Sequence, residues 1–240
     1  MKTTKSFLLY FTLITLIQLP VFSYAQEADV QKIIQKSWKA MFGDLKNEDI
    51  KSIYVERYFH GSDVPDKVYV KRPNQFRNEA RGNILVFDGK RAAWEKRTPD
   101  KDGNPQKPSL IEKEYWKHFE VDIAMVFPAC FDYPSALEGK EKCGDGHAYK
   151  LFIQLPLGGH VTYYIDSKTF LITKYLVNWD GTSSDDDREN IIIGYTDYDG
   201  ILYPDGISFQ GHDGPDNGIY KNVKFNIKPN EGIFEIPKGL

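Results

Sequence analysis

The sequence predicts an α+β fold: a large curved antiparallel sheet forming an incomplete β-barrel, wrapped around an N-terminal helix and a helical lid insertion. Three features predict it. About ten short stretches rich in β-branched and aromatic residues follow one another, separated by Gly, Asp-Gly and Pro-Asn turn signals. One stretch with helical apolar spacing stands ahead of them, and a second helical pattern interrupts them midway. A sheet of that size must curl, and only these helical segments are available to fill its concave side.

The chain opens with Lys2 and Lys5, an apolar run from Phe7 to Leu19, Pro20, and then Ser23-Tyr24-Ala25. That order is a secretory signal peptide with cleavage expected after Ala25. The apolar run falls short of the roughly 20 residues a spanning helix needs. The first cysteine is Cys130, so no thiol near the cleavage site can carry a lipid. The expected plan is residues 1–25 as signal peptide and 26–240 as a single half-barrel domain, with no Pro/Gly/Ser linker dividing it. The leader takes two lysines and no acid with it, so the net charge moves from −3 to −5 (−3 − 2). A mildly acidic domain without a basic block is a poor nucleic-acid binder, and no nucleic-acid partner is expected. Cys130 and Cys143 form an even pair that an exported chain can close into a disulfide; two free thiols are the alternative.

The elements follow in order. Glu27–Phe42 places Val30, Ile33, Ile34, Trp38, Met41 and Phe42 at helical spacing, ended by Gly43. Ile50–Phe59 is β-branched and aromatic. Lys67–Arg72 and Gln75–Arg81 follow, split by Pro73-Asn74. Gly82-Asn83 is a turn pair, Ile84–Phe87 a strand, and Asp88-Gly89 a type I′ hairpin signal before Arg91–Arg97. Thr98–Pro108 reads as a polar loop. Leu110–Phe127 and Phe131–Leu137 read as helical, interrupted by Pro128 and Pro134, and Gly139–Gly146 as a polar loop. Strands resume at Tyr149–Leu155, His160–Asp166, Phe170–Trp179, Ile191–Asp199 and Tyr203–Gln210. In the last, Ile219–Lys228, Ile219, Val223 and Phe225 are expected on one face and Tyr220, Asn222 and Lys224 on the other.

The stretch Val70-Lys71-Arg72-Pro73-Asn74-Gln75-Phe76-Arg77, with Asp88-Gly89-Lys90 ahead of Trp94, resembles the motif of the LolA/LolB/LppX-like superfamily. The strong match covers residues 67–94; the order of elements extends it over the rest of the chain after the leader. The resemblance implies a periplasmic carrier, an unclosed barrel with a helical lid, and an apolar cavity that holds the acyl chains of a lipid or lipoprotein. It also implies that Arg72 holds backbone groups of the lid, for which its rigid fork of five donors is suited. By alternation Arg72 shares a face with Val68 and Val70; at a strand end it can instead reach water. The motif also has a purely structural logic: Pro73 and Asn74 break the strand, Phe76 anchors the core, and Asp88-Gly89 sets a hairpin. The polar loop Thr98–Pro108, the cysteine-bearing insertion and the acidic run Ser183–Glu189 depart from the carriers.

Other constellations are weaker. Asp100–Asn104 has calcium-like spacing but lacks the distant Glu. The five histidines fall in no metal-ligand spacing, and no serine stands in a nucleophile elbow. The expectation is therefore a monomeric, non-enzymatic carrier without cofactor or metal. Its cavity is lined by Trp38, Val68, Val70, Phe76, Trp94, Phe119 and Val126 and gated by Leu110–Leu137; a membrane donor or acceptor protein would be a further partner. The alternative is a sensor or interaction module of the same fold that binds a partner protein without a lipid cavity. An enclosed apolar cavity separates the first from the second.

Overall fold

A computed structural model describes residues 29–59, 61–181, 187–211, 214–228, 232–237 and 240. The expected signal peptide lies outside the described residues, as do His60, His212 and residues 182–186, which include Asp185 and Asp186 of the acidic run. Helix α1 spans 29–42 and buries Val30, Ile33, Met41 and Phe42 along one face. Gly43, at φ +62°, accepts the left-handed turn that ends it.

A meander follows: β1 (Ser52–Phe59), β2 (Asp66–Lys71), β3 (Gln75–Ala80), β4 (Asn83–Phe87), β5 (Ala92–Lys96) and the short β6 (Ser109–Ile111). Helix α2 (Trp116–Val126) crosses over next and ends in a single 3₁₀ turn, Ala129–Phe131. A second meander runs through β7 (Ala136–Cys143), β8 (Gly146–Gln154), β9 (His160–Asp166), β10 (Ile172–Asn178) and β11 (Arg188–Ile192). A separate ribbon, β12 (Tyr195–Tyr198) with β13 (Ile201–Pro204), precedes β14 (Gly206–Gly211) and the long β15 (Gly214–Phe225).

Thirteen of these strands form one antiparallel sheet, ordered β6-β5-β4-β3-β2-β1-β15-β14-β11-β10-β9-β8-β7. The chain's last strand, β15, pairs with its first, β1, and so joins the two meanders. Strands β6 and β7 do not pair, so the sheet stays open, as the sequence predicts. The core lies on the concave face. Ile53, Val55, Val68, Val70, Phe76 and Phe87 meet Leu151, Ile153, Val161, Tyr163 and Val177 there, with α1 and α2 between them. A smaller cluster, Ile84, Val86, Ala93 and Ile236, covers part of the convex face.

Several expected elements are corrected. Leu110 and Ile111 form an edge strand, so the helix begins only at Trp116. Phe131–Leu137 is not helical; Pro134 breaks it and Leu137 already belongs to β7. The polar loop expected at Gly139–Gly146 is instead most of the β7–β8 hairpin. Its alternating Glu and Lys suit an edge strand, where charge discourages further pairing. The type I′ turn sits at Arg81-Gly82, where both residues have positive φ (48° and 79°), rather than at Asp88-Gly89. The β4–β5 connection is a wider loop in which Asp88 Oδ1 accepts the Lys90 and Arg91 N–H groups. In β15 the expected alternation breaks at Asn222 (φ +51°). One extra residue there, against a register shift between Tyr54 and Glu56 of β1, turns Tyr220 inward with Val223 and leaves Ile219 outside.

Candidate ligand site

The two motif segments touch. The β2–β3 turn at Pro73-Asn74 lies against the β4–β5 loop, where a Cβ on Gly89 would come within 2.8 Å of the Asn74 side chain. Gln75 Nε2 donates to the Asp88 carbonyl at 3.2 Å. Arg72 leaves this corner pointing into the concave side. Its Nε and Nη2 grip the Asp132 carboxylate just after the 3₁₀ turn, with Nε to Oδ2 at 3.1 Å. Its Nη1 donates to the carbonyls of Asn47 and Ile50, and Nη2 also donates to Asn47 Oδ1. The guanidinium carbon stands 4.0 Å from the Phe127 ring centroid and 6.0 Å from that of Trp38. Arg72 thus ties three pieces together: the end of β2, the connection from α1 to β1, and the segment leaving α2.

Around it the rings of Trp38, Phe42, Phe127 and Phe131 pack at 4.2–6.3 Å. Trp38 is partly buried, and its indole N–H donates to the Leu45 carbonyl at 2.5 Å. Val68, Val70, Phe76, Phe119 and Val126 are all buried in one cluster, with Phe119 stacked on Phe87 at 5.3 Å. They pack on one another and line no open space. The expectation of a ready-made cavity between sheet and helices is corrected: the residual void beneath Met125, Tyr163, Tyr175 and Tyr203 is ≈ 20 Å³. Side chains, many of them tyrosines, fill the concavity. Trp94 is also corrected. It is 41% exposed near the β6 edge and lines no enclosed interior.

Cys130 and Cys143 are both free thiols, which corrects the expected disulfide. Cys130 is buried in the 3₁₀ turn, whose Ala129 N–H bonds to Tyr163 OH. Tyr163 pairs with Leu151, whereas Cys143 pairs with Gly146 at the far end of β8. The two thiols thus lie against different parts of β8.

Helix α2 is held by polar ties as well as by apolar packing. Tyr163 OH donates to the Ala124 carbonyl at 2.7 Å, and Tyr203 OH to the Val126 carbonyl at 2.6 Å. Glu120 Oε2 accepts the Leu157 N–H at 2.6 Å, and Lys117 Nζ meets Asp180 at 3.0 Å. Burial raises the carboxyl of Glu120 above its usual range, and the bond from Leu157 opposes this.

At the opposite end from Arg72, the concave side opens into a groove of ≈ 920 Å³ between β1, β10, β11, β14 and α2. Phe59, Met125, Trp179, Ile207 and Phe209 give it apolar walls, and Arg57 and Arg188 bring positive charge. Arg57 continues the inward row of Ile53 and Val55 on β1. That alternation was the one signal in the sequence that could have singled it out. Asp132, the partner of Arg72, carries no local pattern that marks it. Asp100 accepts the N–H groups of Asp102 and Asn104 and closes its own turn. Among the described residues no group of three or more His, Cys, Asp or Glu side chains could hold a metal ion. No helix among them is long and apolar enough to cross a membrane.

No family model matches the chain, and no curated protein matches it in sequence. Its fold is that of solved LolA-like structures. A LolA superfamily protein from Nitrosomonas europaea superposes with a TM-score of 0.57 at 16% identity, over 85% of this chain and 96% of the other. An outer membrane lipoprotein-sorting protein domain from Vibrio parahaemolyticus gives 0.53 at 11%, over 85% and 95%. A DUF1329 family protein from Desulfovibrio piger gives 0.51 at 9%, over 88% and 97%. At such identities the shared property is the open, helix-filled half-barrel.

Proposed function

We propose that the protein is a periplasmic, non-enzymatic carrier that takes the acyl chains of a lipid or lipoprotein into the concave side of its sheet. The observation that carries this reading is how that side is covered. The apolar concave face packs not on a second sheet but on two helices, and α2 is fastened by a small number of polar ties: Arg72 to Asp132, Tyr163 and Tyr203 to helix carbonyls, Glu120 to Leu157. Such a cover can lift as a unit. The ≈ 920 Å³ groove is the entry, and the filled interior is the closed form. A ligand that lifts α2 must replace the buried apolar contacts with its own, at about 25 cal/mol per Å². Export rests on the leader, and the sorting role on the fold shared with the Vibrio parahaemolyticus domain.

A second reading has in its favour the very feature that separates the two: among the described residues the space between sheet and helices is filled. The ≈ 20 Å³ interior void suits an interaction module with a solid core. Native mass spectrometry on the mature protein, taken from its exported fraction without detergent, separates the two. Bound mass matching a phospholipid or acylated peptide supports the carrier. A clean unliganded mass, with no uptake of added fatty acid, overturns it in favour of the module.

A further inference from the structure

Arg57 is a buried cation left incomplete by its surroundings. It is 8% exposed, and its Nε is buried without a hydrogen-bond partner. A buried N–H without an acceptor is costly. Two carboxyl groups balance the charge of the guanidinium: Asp66, opposite it on β2, and Asp122 from α2. Burial raises Asp122, and Arg57 first and the indole N–H of Trp179 second favour its ionised form. Arg57 itself stands 5.7 Å from the ring centroid of Phe59, a face without an acceptor atom.

The groove that Arg57 lines repeats this imbalance. Of its wall acids, Asp187 meets His160 at 3.0 Å and Asn178 at 3.1 Å, and Glu189 holds Lys174 at 2.6 Å. Asp216 accepts the Asn217 N–H. The second guanidinium, Arg188, lies 5.2 Å from the Trp179 ring. Both cations present donors to a groove whose walls also carry these acids, the polar Asn190, Ser208 and Gln210, and the apolar Phe59, Met125, Ile207 and Phe209. Met125 lines both the groove and the residual interior void. Its flexible thioether can yield to a chain.

We infer that this groove binds a single-chain amphiphile by its anionic head, a carboxylate or a phosphate monoester, with the head inward on Arg57 and the hydrocarbon along Phe59, Met125 and Phe209. Either head offers two acceptor oxygens to the guanidinium fork. A neutral alcohol offers one weaker acceptor. The inference rests on the carrier reading and adds the head group and its orientation.

The test measures binding of palmitate, hexadecyl phosphate and hexadecanol to the mature protein, to Arg57→Met and to Arg57→Lys, with folding of each variant checked by thermal melting. Methionine keeps a long apolar stem but leaves Asp66 and Asp122 without their cation, which is destabilising, so the melting control and the charge-keeping Arg57→Lys separate loss of fold from loss of the head-group contact. Wild type should bind an anionic probe at least ~tenfold more tightly than hexadecanol. Arg57→Met should lose that preference while keeping hexadecanol binding, and Arg57→Lys should retain part of it. The tighter of palmitate and hexadecyl phosphate identifies the head. Equal binding of all three probes to wild type, or an unchanged preference in Arg57→Met, overturns the inference and leaves the carrier reading standing. Failure of all three probes to bind overturns both.

Discussion

Two arginines stand on adjacent strands of one concave face, and their surroundings differ completely. Arg72, at the end of β2, spends all five N–H groups on protein acceptors and is stacked on Phe127. Arg57, in the middle of β1, is equally withdrawn from water yet leaves Nε unmatched and faces an open groove. The first joins three chain segments that are far apart in sequence. The second lies between the carboxyl groups of Asp66 on β2 and Asp122 on α2 with its Nε unmatched. Burial of charge thus has two meanings in this molecule: at one end it fixes the fold, and at the other it keeps a donor ready inside an apolar wall.

The largest expected effect is on Arg72. Arg72→Leu leaves Asp132 buried without its cation and frees the carbonyls of Asn47 and Ile50. Removing one partner of a buried pair costs about 3–5 kcal/mol. Denaturant titration should show that loss; Arg57→Met also strands Asp66 and Asp122, but one N–H of that guanidinium is already unmatched, so its loss should be smaller than that at Arg72. Equal losses at the two positions would abolish the contrast.

Next in size are the tyrosine ties. Tyr203→Phe keeps the ring against Tyr220 and Phe225 but leaves the Val126 carbonyl without its donor. A buried acceptor so stranded costs about 1–3 kcal/mol. Hydrogen exchange should report the change at the C-terminal turn of α2 before it reaches the strands. Uniform loss of protection across the sheet would mean that α2 does not lift separately.

The sequence carried the frame of the fold well and the interior poorly, for physical reasons. Turn pairs and alternation are local, so the meander of β1–β5 and the N-terminal helix were legible. The Lys67–Trp94 motif was legible as a corner, and Arg72 could be read as facing inward. Asp132 could not be paired with it, because the contact spans 60 residues and nothing local marks its acid. The alternating charges of β7 looked like a loop because an edge strand is allowed that pattern. Tyr163 reads as core or cavity lining, but Tyr175, Tyr203 and Tyr220 read as ordinary strand residues. Their convergence beneath α2 follows from sheet curvature and from the bulge at Asn222, neither of which has a sequence period. Phe76 and Phe119 were placed correctly in the interior, but only the full set of side chains decides whether an interior is hollow.

The smallest effect concerns the pH dependence of the ties on α2, and it separates this cover from the Arg72 corner. Desolvation raises Glu120 above 4.5, and raises Asp66 and Asp122 above 3.8. An acid whose folded pKa is raised binds more protons folded than unfolded, so stability falls as pH climbs from the unfolded value to the folded one. Asp180, lowered by its bond with Lys117, has the opposite sign: its contribution is present above its ordinary pKa and is lost as pH falls through the folded value. Acid therefore weakens the Lys117 tie, while rising pH charges the buried Glu120 at a desolvation cost that its bond from Leu157 only partly offsets. Glu120→Gln removes only the second. Urea midpoints for wild type and Glu120→Gln, measured from pH 4 to pH 8, should lie closest together at the acid end. From about pH 4.5 upward wild type should lose ground to the variant, then run parallel once Glu120 is ionised. Curves parallel over the whole range would mean that Glu120 is solvated in the folded protein, and that α2 is held at this point by the packing of its Val121 against Gly159.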